Sequence, residues 1–173
     1  MRASHVRYLV EGWGVGELWL EGELVLWHEL PTPRADPPSG GGGAPGVTLA
    51  EVGARDRDER VPKVLRLLAS YFRGEPVSFA DIAVDLDWCT PFQRAVAEAL
   101  RAVPYGETVT YGELAALAGY PNAQRAAGSF CARNRLSLIV PCHRVVAASG
   151  LGSYGSLGIG YKRRLLELEG AAL

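Results

Sequence analysis

The chain has 173 residues, 48% of them hydrophobic and 21% charged, with a formal net charge of −1 at pH 7. That is enough apolar material for one or two small globular domains, and it excludes a disordered or fibrous polypeptide. No apolar run approaches the roughly 20 residues that cross a bilayer, and Arg2, His5, Arg7 and Glu11 interrupt any secretory core, so the expectation is a cytoplasmic protein with no membrane partner.

Three cysteines, Cys89, Cys131 and Cys142, are too few and too irregularly spaced for a disulfide scaffold or a zinc cluster, and they direct attention to a single reactive thiol. Residues 1–89 carry 9 Lys and Arg against 14 Asp and Glu, whereas residues 90–173 carry 9 against 5. The C-terminal half is thus the candidate surface for a polyanion, although such a split is also ordinary scatter between two domains.

In chain order, the β-friendly runs His5–Val10, Gly16–Leu20 and Leu24–His28, punctuated by glycines, predict a small antiparallel meander. Pro31–Gly46 is dominated by proline and glycine and predicts a loop without a core. Val61, Val64, Leu65, Leu68 and Phe72 recur at helical intervals, and a strand over Ile82–Leu86 is expected after them. The first domain is expected over residues 1–88 and the second over 89–173.

Two helix starts in the second half carry capping signatures. Thr90, Pro91 and Gln93 form a capping box with proline at the first helical position, and Phe92, Val96 and Leu100 share a face. Thr110 and Glu113 form a second box, opening a helix over Tyr111–Ala118. After a three-residue turn, Gly119 to Pro121, Asn122 is expected to cap a third helix reaching Arg133, which makes a helix-turn-helix. In that third helix Arg125 stands in the first turn beside small residues, Ala126 and Gly128; close helix packing and close approach to a nucleic-acid groove both account for this.

Leu136–Val140 reads as a buried strand that Pro141 ends, and Cys142 follows at the stop. His143 and Arg144 come next, so a base and a fixed cation adjoin the thiol, a setting expected to favour thiolate. In extended chain His143 points away from Cys142 and reaches it through a water or a local turn. Cys89 and Cys131 read as small apolar core residues.

TPFQRAV, VPYGETVTYGELA, GYPNAQRAAG, Asn134, IVPCHRVV, GLGSYG and KRRLLELEG, in this order between Thr90 and Gly170, resemble the O6-alkylguanine-DNA alkyltransferases. The resemblance implies an α+β protein with a ribonuclease-H-like N-terminal domain and a winged helix-turn-helix catalytic domain. It implies single-turnover repair without a cofactor or metal, by a monomer acting in the minor groove of double-stranded DNA that carries O6-alkylguanine. On this resemblance Cys142 is the alkyl acceptor, His143 its water-mediated base, Glu169 the carboxylate that orients His143, and Asn134 the hinge of the active-site turn. Tyr111 turns the target phosphate and hydrogen-bonds the leaving guanine. Arg125 fills the gap left by the extruded base, Ala126 and Gly128 face the groove, and Val145, Tyr154 and Gly155 line the lesion pocket, with Ser156 competing for the role of Gly155.

Arg135 stands where the family often has proline, which implies a looser backbone there. A lesion-binding relative without enzymatic activity is the alternative, and the intact Cys142 counts against it. A cysteine hydrolase and a plain winged-helix transcription factor rank lower, because neither calls for Cys142, His143 and Glu169 as a set.

Overall fold

The computed structural model describes residues 3–33 and 61–173, and the chain divides into two compact units, Met1–Asp85 and Leu86–Leu173. The mixed α/β content follows from a change of hydrophobic period: near alternation in the first thirty residues, and 3.6-residue spacing afterwards.

In the first unit, β1 (Ser4–Val10), β2 (Gly14–Glu21) and β3 (Leu24–Thr32) form an antiparallel sheet in the order β1-β2-β3. The expected meander is there, with longer strands. β3 runs on through Pro31 and Thr32, where Thr32 pairs with Val15, so the expected loop starts later than Pro31; its remainder, 34–46, lies outside the described residues. Helix α1 (Lys63–Phe72) buries Val64, Leu65, Leu68 and Tyr71, and Phe72 meets the edge of Trp13 at 5.2 Å. The strand expected over Ile82–Leu86 does not form. A single parallel bridge remains there, in which the amides of Val25 and Asp85 bond to Ala83 O and Val25 O, both at 2.9 Å.

The second unit begins its helices with α2 (Pro91–Arg101), opened by the expected capping box: Thr90 Oγ1 accepts from Gln93 N at 3.2 Å and Gln93 Oε1 from Thr90 N at 2.9 Å. Val96, Ala97 and Leu100 are its buried stripe. The two-residue strand β4 (Val109–Thr110) pairs in parallel with β5 (Val145–Val146). Helix α3 (Tyr111–Leu117) starts on Thr110, but only half of a capping box forms, because the Glu113 carboxylate takes the Thr110 hydroxyl and not its amide. Helix α4 (Gln124–Ala132) is joined to α3 by residues 118–123, a longer turn than expected. Asn122 does not cap α4; it occupies the left-handed region at φ 69° inside the turn, which asparagine tolerates, and Ala123 holds the cap position without a side-chain bond.

Leu136–Val140 is buried as expected but is no strand. Its chain folds back on itself, with Val140 N bonded to Leu136 O at 2.8 Å and Leu138 at φ 73°. Cys142–Arg144 then makes one turn of 3-10 helix, and helix α5 (Gly158–Leu168) completes the unit. Among the described residues no helix is long and apolar enough to cross a membrane.

Candidate active site

Cys142 opens onto a cavity of about 200 Å³ that also takes its lining from Tyr111, Gly128, Cys131, Asn134, Tyr154 and Gly155. The turn that presents it is closed by one side chain. Asn134 Oδ1 accepts from Leu136 N at 2.9 Å, and its Nδ2 donates both to Val140 O at 2.8 Å and to Cys142 Sγ at 3.1 Å. A carboxamide thereby supplies the bonds that a neighbouring strand would give, which is why an apolar run resembling a strand is stable as a buried turn.

Burial pushes the Cys142 thiol well above its ordinary range, and its hydrogen bond with Cys131 pushes the same way; the Asn134 bond and the Lys162 charge only partly offset this. The expected thiolate is therefore not the resting form. Arg144, expected as the cation beside the thiol, is engaged elsewhere: its Nη2 donates to Glu169 Oε1 at 2.8 Å and its Nη1 to Val103 O at 2.8 Å.

His143 Nε2 lies 2.8 Å from Glu169 Oε1, with both side chains fully buried. Burial lowers the histidine and outweighs the upward pull of Glu169, so the ring is neutral at pH 7 and able to accept a proton. Burial alone would raise the Glu169 carboxyl; hydrogen bonds and charge from His143 and Arg144 prevail and hold it at about 2. Glu169 sits at the C-terminal end of α5, and the turn before β4 is fitted to it. Tyr105 donates to Leu168 O at 3.3 Å, Gly106 N to Glu169 Oε2 at 3.4 Å, and Gly106, at φ 81°, has Glu169 O only 3.1 Å from where a Cβ would stand.

The structure gathers Tyr111, Asn134, Cys142, Tyr154 and Gly155 around one cavity, with Ser156 also in its wall. Tyr111 is half-buried at the start of α3, its hydroxyl bonded to Ser153 and raised by burial. Val145 is buried in β5 outside the lining, and its carbonyl accepts from Lys162 Nζ. Arg125 and Ala126 are exposed on α4, away from the lining, while Gly128 touches both the cavity and the Tyr111 ring. Arg135 does not leave a loose backbone: its guanidinium lies 4.8 Å from the centre of the Trp88 ring, which stacks on Phe130.

These residues lie in a segment that matches a family model: residues 91–171 fit the DNA-binding domain of 6-O-methylguanine DNA methyltransferase. The methylated-DNA–protein-cysteine methyltransferase of Methanopyrus kandleri is 50% identical over 106 residues, 61% of this chain and 78% of the relative. The chain belongs to this family. The Mycobacterium leprae methyltransferase of the same name is 51% identical over 104 residues, and that match spans 61% of the relative. The crystal structure of Mycobacterium tuberculosis OGT in complex with DNA superposes with a TM-score of 0.71 at 36% identity, covering 96% of this chain and 92% of that one.

Sequence reasoning missed two functional groups in this member of the methyltransferase family. Lys162 is fully buried, bonding Val145 O and, at 3.3 Å, Ser153 O, and it is the cation that acts on the Cys142 thiol. A lysine within the apolar stripe of Leu165 and Leu166 was the available signal, since a buried ammonium needs acceptors. Cys131 is half-buried in the cavity wall and bonded to Cys142, not packed in the core. Among the described residues no cluster of metal-ligating side chains occurs: His5 bonds Glu17 and His28 bonds Tyr8.

Proposed function

We propose that the protein repairs DNA by moving the alkyl group of O6-alkylguanine to Cys142 Sγ, once per molecule and without a cofactor. The observation that carries the reading is the placement of Cys142, held by Asn134 in the cavity while the next residue, His143, rests on the Glu169 carboxylate.

Sulfur attacks the alkyl carbon, the S–C bond forms as the C–O6 bond breaks, and guanine departs with the electron pair. The thiol proton moves through one water to His143, whose Nε2 is already engaged by Glu169, leaving Nδ1 to receive it; the carboxylate then stabilises the imidazolium. A buried thiol that ionises only as it reacts is shielded from other electrophiles. The tyrosine hydroxyl of Tyr111 serves the leaving guanine, and Tyr154, Gly155 and the backbone around Val145 frame it. A thioether is a poor leaving group, which makes the transfer irreversible.

The fold of the reading is a ribonuclease-H-like first unit and a winged helix-turn-helix second unit, in which α3 and α4 are the helix pair. Arg125, exposed in the first turn of α4 beside Ala126 and Gly128, enters the minor groove and takes the place of a flipped nucleotide. The protein acts as a cytoplasmic monomer on duplex DNA.

Incubation with a duplex bearing one O6-methylguanine tests this by intact mass: a gain of about 14 Da, mapped to Cys142 and absent from Cys142→Ala, is expected. No gain, a gain on Cys89 or Cys131, or transfer by Cys142→Ala overturns it. Arg125→Ala is expected to slow repair in duplex more than transfer from free O6-benzylguanine; equal slowing would assign Arg125 to the fold.

A further inference from the structure

Helix α4 brings a second thiol to the acceptor. Cys131 is the eighth of its nine residues, lines the same cavity as Cys142, and is its hydrogen-bond partner. Both sulfurs are free, Cys131 half-buried and Cys142 buried, and the remaining cysteine, Cys89, is not part of the cavity lining. Two thiols in hydrogen-bond contact are separated by little more than the approach needed for an S–S bond of about 2.05 Å. The Cys142 side can yield, since its segment is a single 3-10 turn held by side chains and not a strand locked in a sheet.

We propose that Cys131 and Cys142 form a vicinal dithiol that hydroperoxides close to an intramolecular disulfide, a modification site that masks the acceptor sulfur and releases it on reduction. Cys131, the more accessible sulfur, meets the oxidant first: it takes OH from the peroxide, whose O–O bond breaks, and becomes a sulfenic acid as water or alcohol leaves. The Cys142 sulfur then attacks the sulfenic sulfur, the S–O bond breaks, and the thiol proton leaves with the hydroxide as a second water. Two thiols are oxidised and one peroxide is reduced. A disulfide drawn from a helix end to a tight turn is strained, and strain makes such a bond easily reducible. Capping at the disulfide stage keeps Cys142 from the irreversible sulfinic and sulfonic acids. The masking of alkyl transfer rests on the proposed function; the cross-link itself does not.

The full-length protein is treated with hydrogen peroxide, quenched with iodoacetamide and weighed without reductant. Expected are a loss of about 2 Da, one cross-linked peptide joining Cys131 to Cys142, and loss of alkyl acceptance that dithiothreitol restores. Cys89→Ser is expected to keep the cross-link. Cys131→Ser, compared with its own untreated activity, is expected to lose alkyl acceptance irreversibly at the same dose. A link through Cys89, a link between chains, or unlinked thiols after oxidation overturns the proposal, as does equal dithiothreitol rescue in Cys131→Ser. A reduced protein that accepts no alkyl group would overturn the proposed function and leave the peptide map to decide the dithiol.

Discussion

Both units bury charged or titratable side chains, but they use them differently. In the first, Glu17 is held by His5 at 2.7 Å and Arg7 at 3.5 Å across the β1-β2 ladder, and both partners are partly exposed, at 40% and 48%. The backbone there is already satisfied by sheet pairing, so these groups decorate a structure that stands without them. In the second unit the polar side chains replace the ladder: Asn134, Arg144 and Lys162 cap the carbonyls of Val140, Val103, Val145 and Ser153. A backbone freed from regular pairing can bend to present a thiol in a cavity, and it then depends on each side chain that holds it.

That dependence sets the order of effects. Glu169→Ala strands Arg144 in a buried site and is expected to cost about 3–5 kcal/mol in urea unfolding, whereas Glu17→Ala, with half-solvated partners, costs about 1 kcal/mol or less. Equal losses would erase the contrast between the units. The same carboxyl gives the second unit an acid limit. Because Glu169 is held at about 2 against an ordinary 4.5, the unfolded chain takes up the proton first as pH falls. Its stabilisation is complete above pH 4.5 and fades toward pH 2, so urea midpoints should drop through that window and drop less in Glu169→Gln.

Asn134→Ala removes three bonds and is expected to cost about 2–3 kcal/mol, with faster amide exchange at Leu136; unchanged exchange would mean that the turn closes itself. The smallest effect is at the surface. Thr90→Ala should cost about 1 kcal/mol by loss of its cap, and a value near zero would show that packing of Val96 and Leu100 alone sets the start of α2.

What the sequence made legible was whatever rests on local periodicity or local capping: the three strands, α1, and the complete box at Thr90. The helices after Thr110 were legible in position, less so at their ends, because Asn122 was free to take a left-handed turn position that its N-cap preference does not reveal. Leu136–Val140 misled because burial and strand pairing produce the same apolar run, and only the long-range bonds of Asn134 distinguish them. Among the site residues, Cys142, His143 and Glu169 were found through the resemblance. Arg144 was misplaced because adjacency in sequence was taken for adjacency in space: in the 3-10 turn its guanidinium swings to Glu169 and over the Tyr105 ring at 5.8 Å, and the charge near the sulfur comes from Lys162, eighteen residues later in the numbering.

The Asn134 carboxamide has two N–H groups, one committed to Val140 O and the other to Cys142 Sγ. Whatever is attached to the sulfur therefore presses on the same rigid plane that keeps the buried turn shut, with Leu138 already in a left-handed conformation beside it. The chemistry of one atom is thereby written into the fold, and a spent molecule differs from a fresh one in its backbone as well as in its mass. Such a molecule carries a mark that other proteins can read without ever entering the cavity.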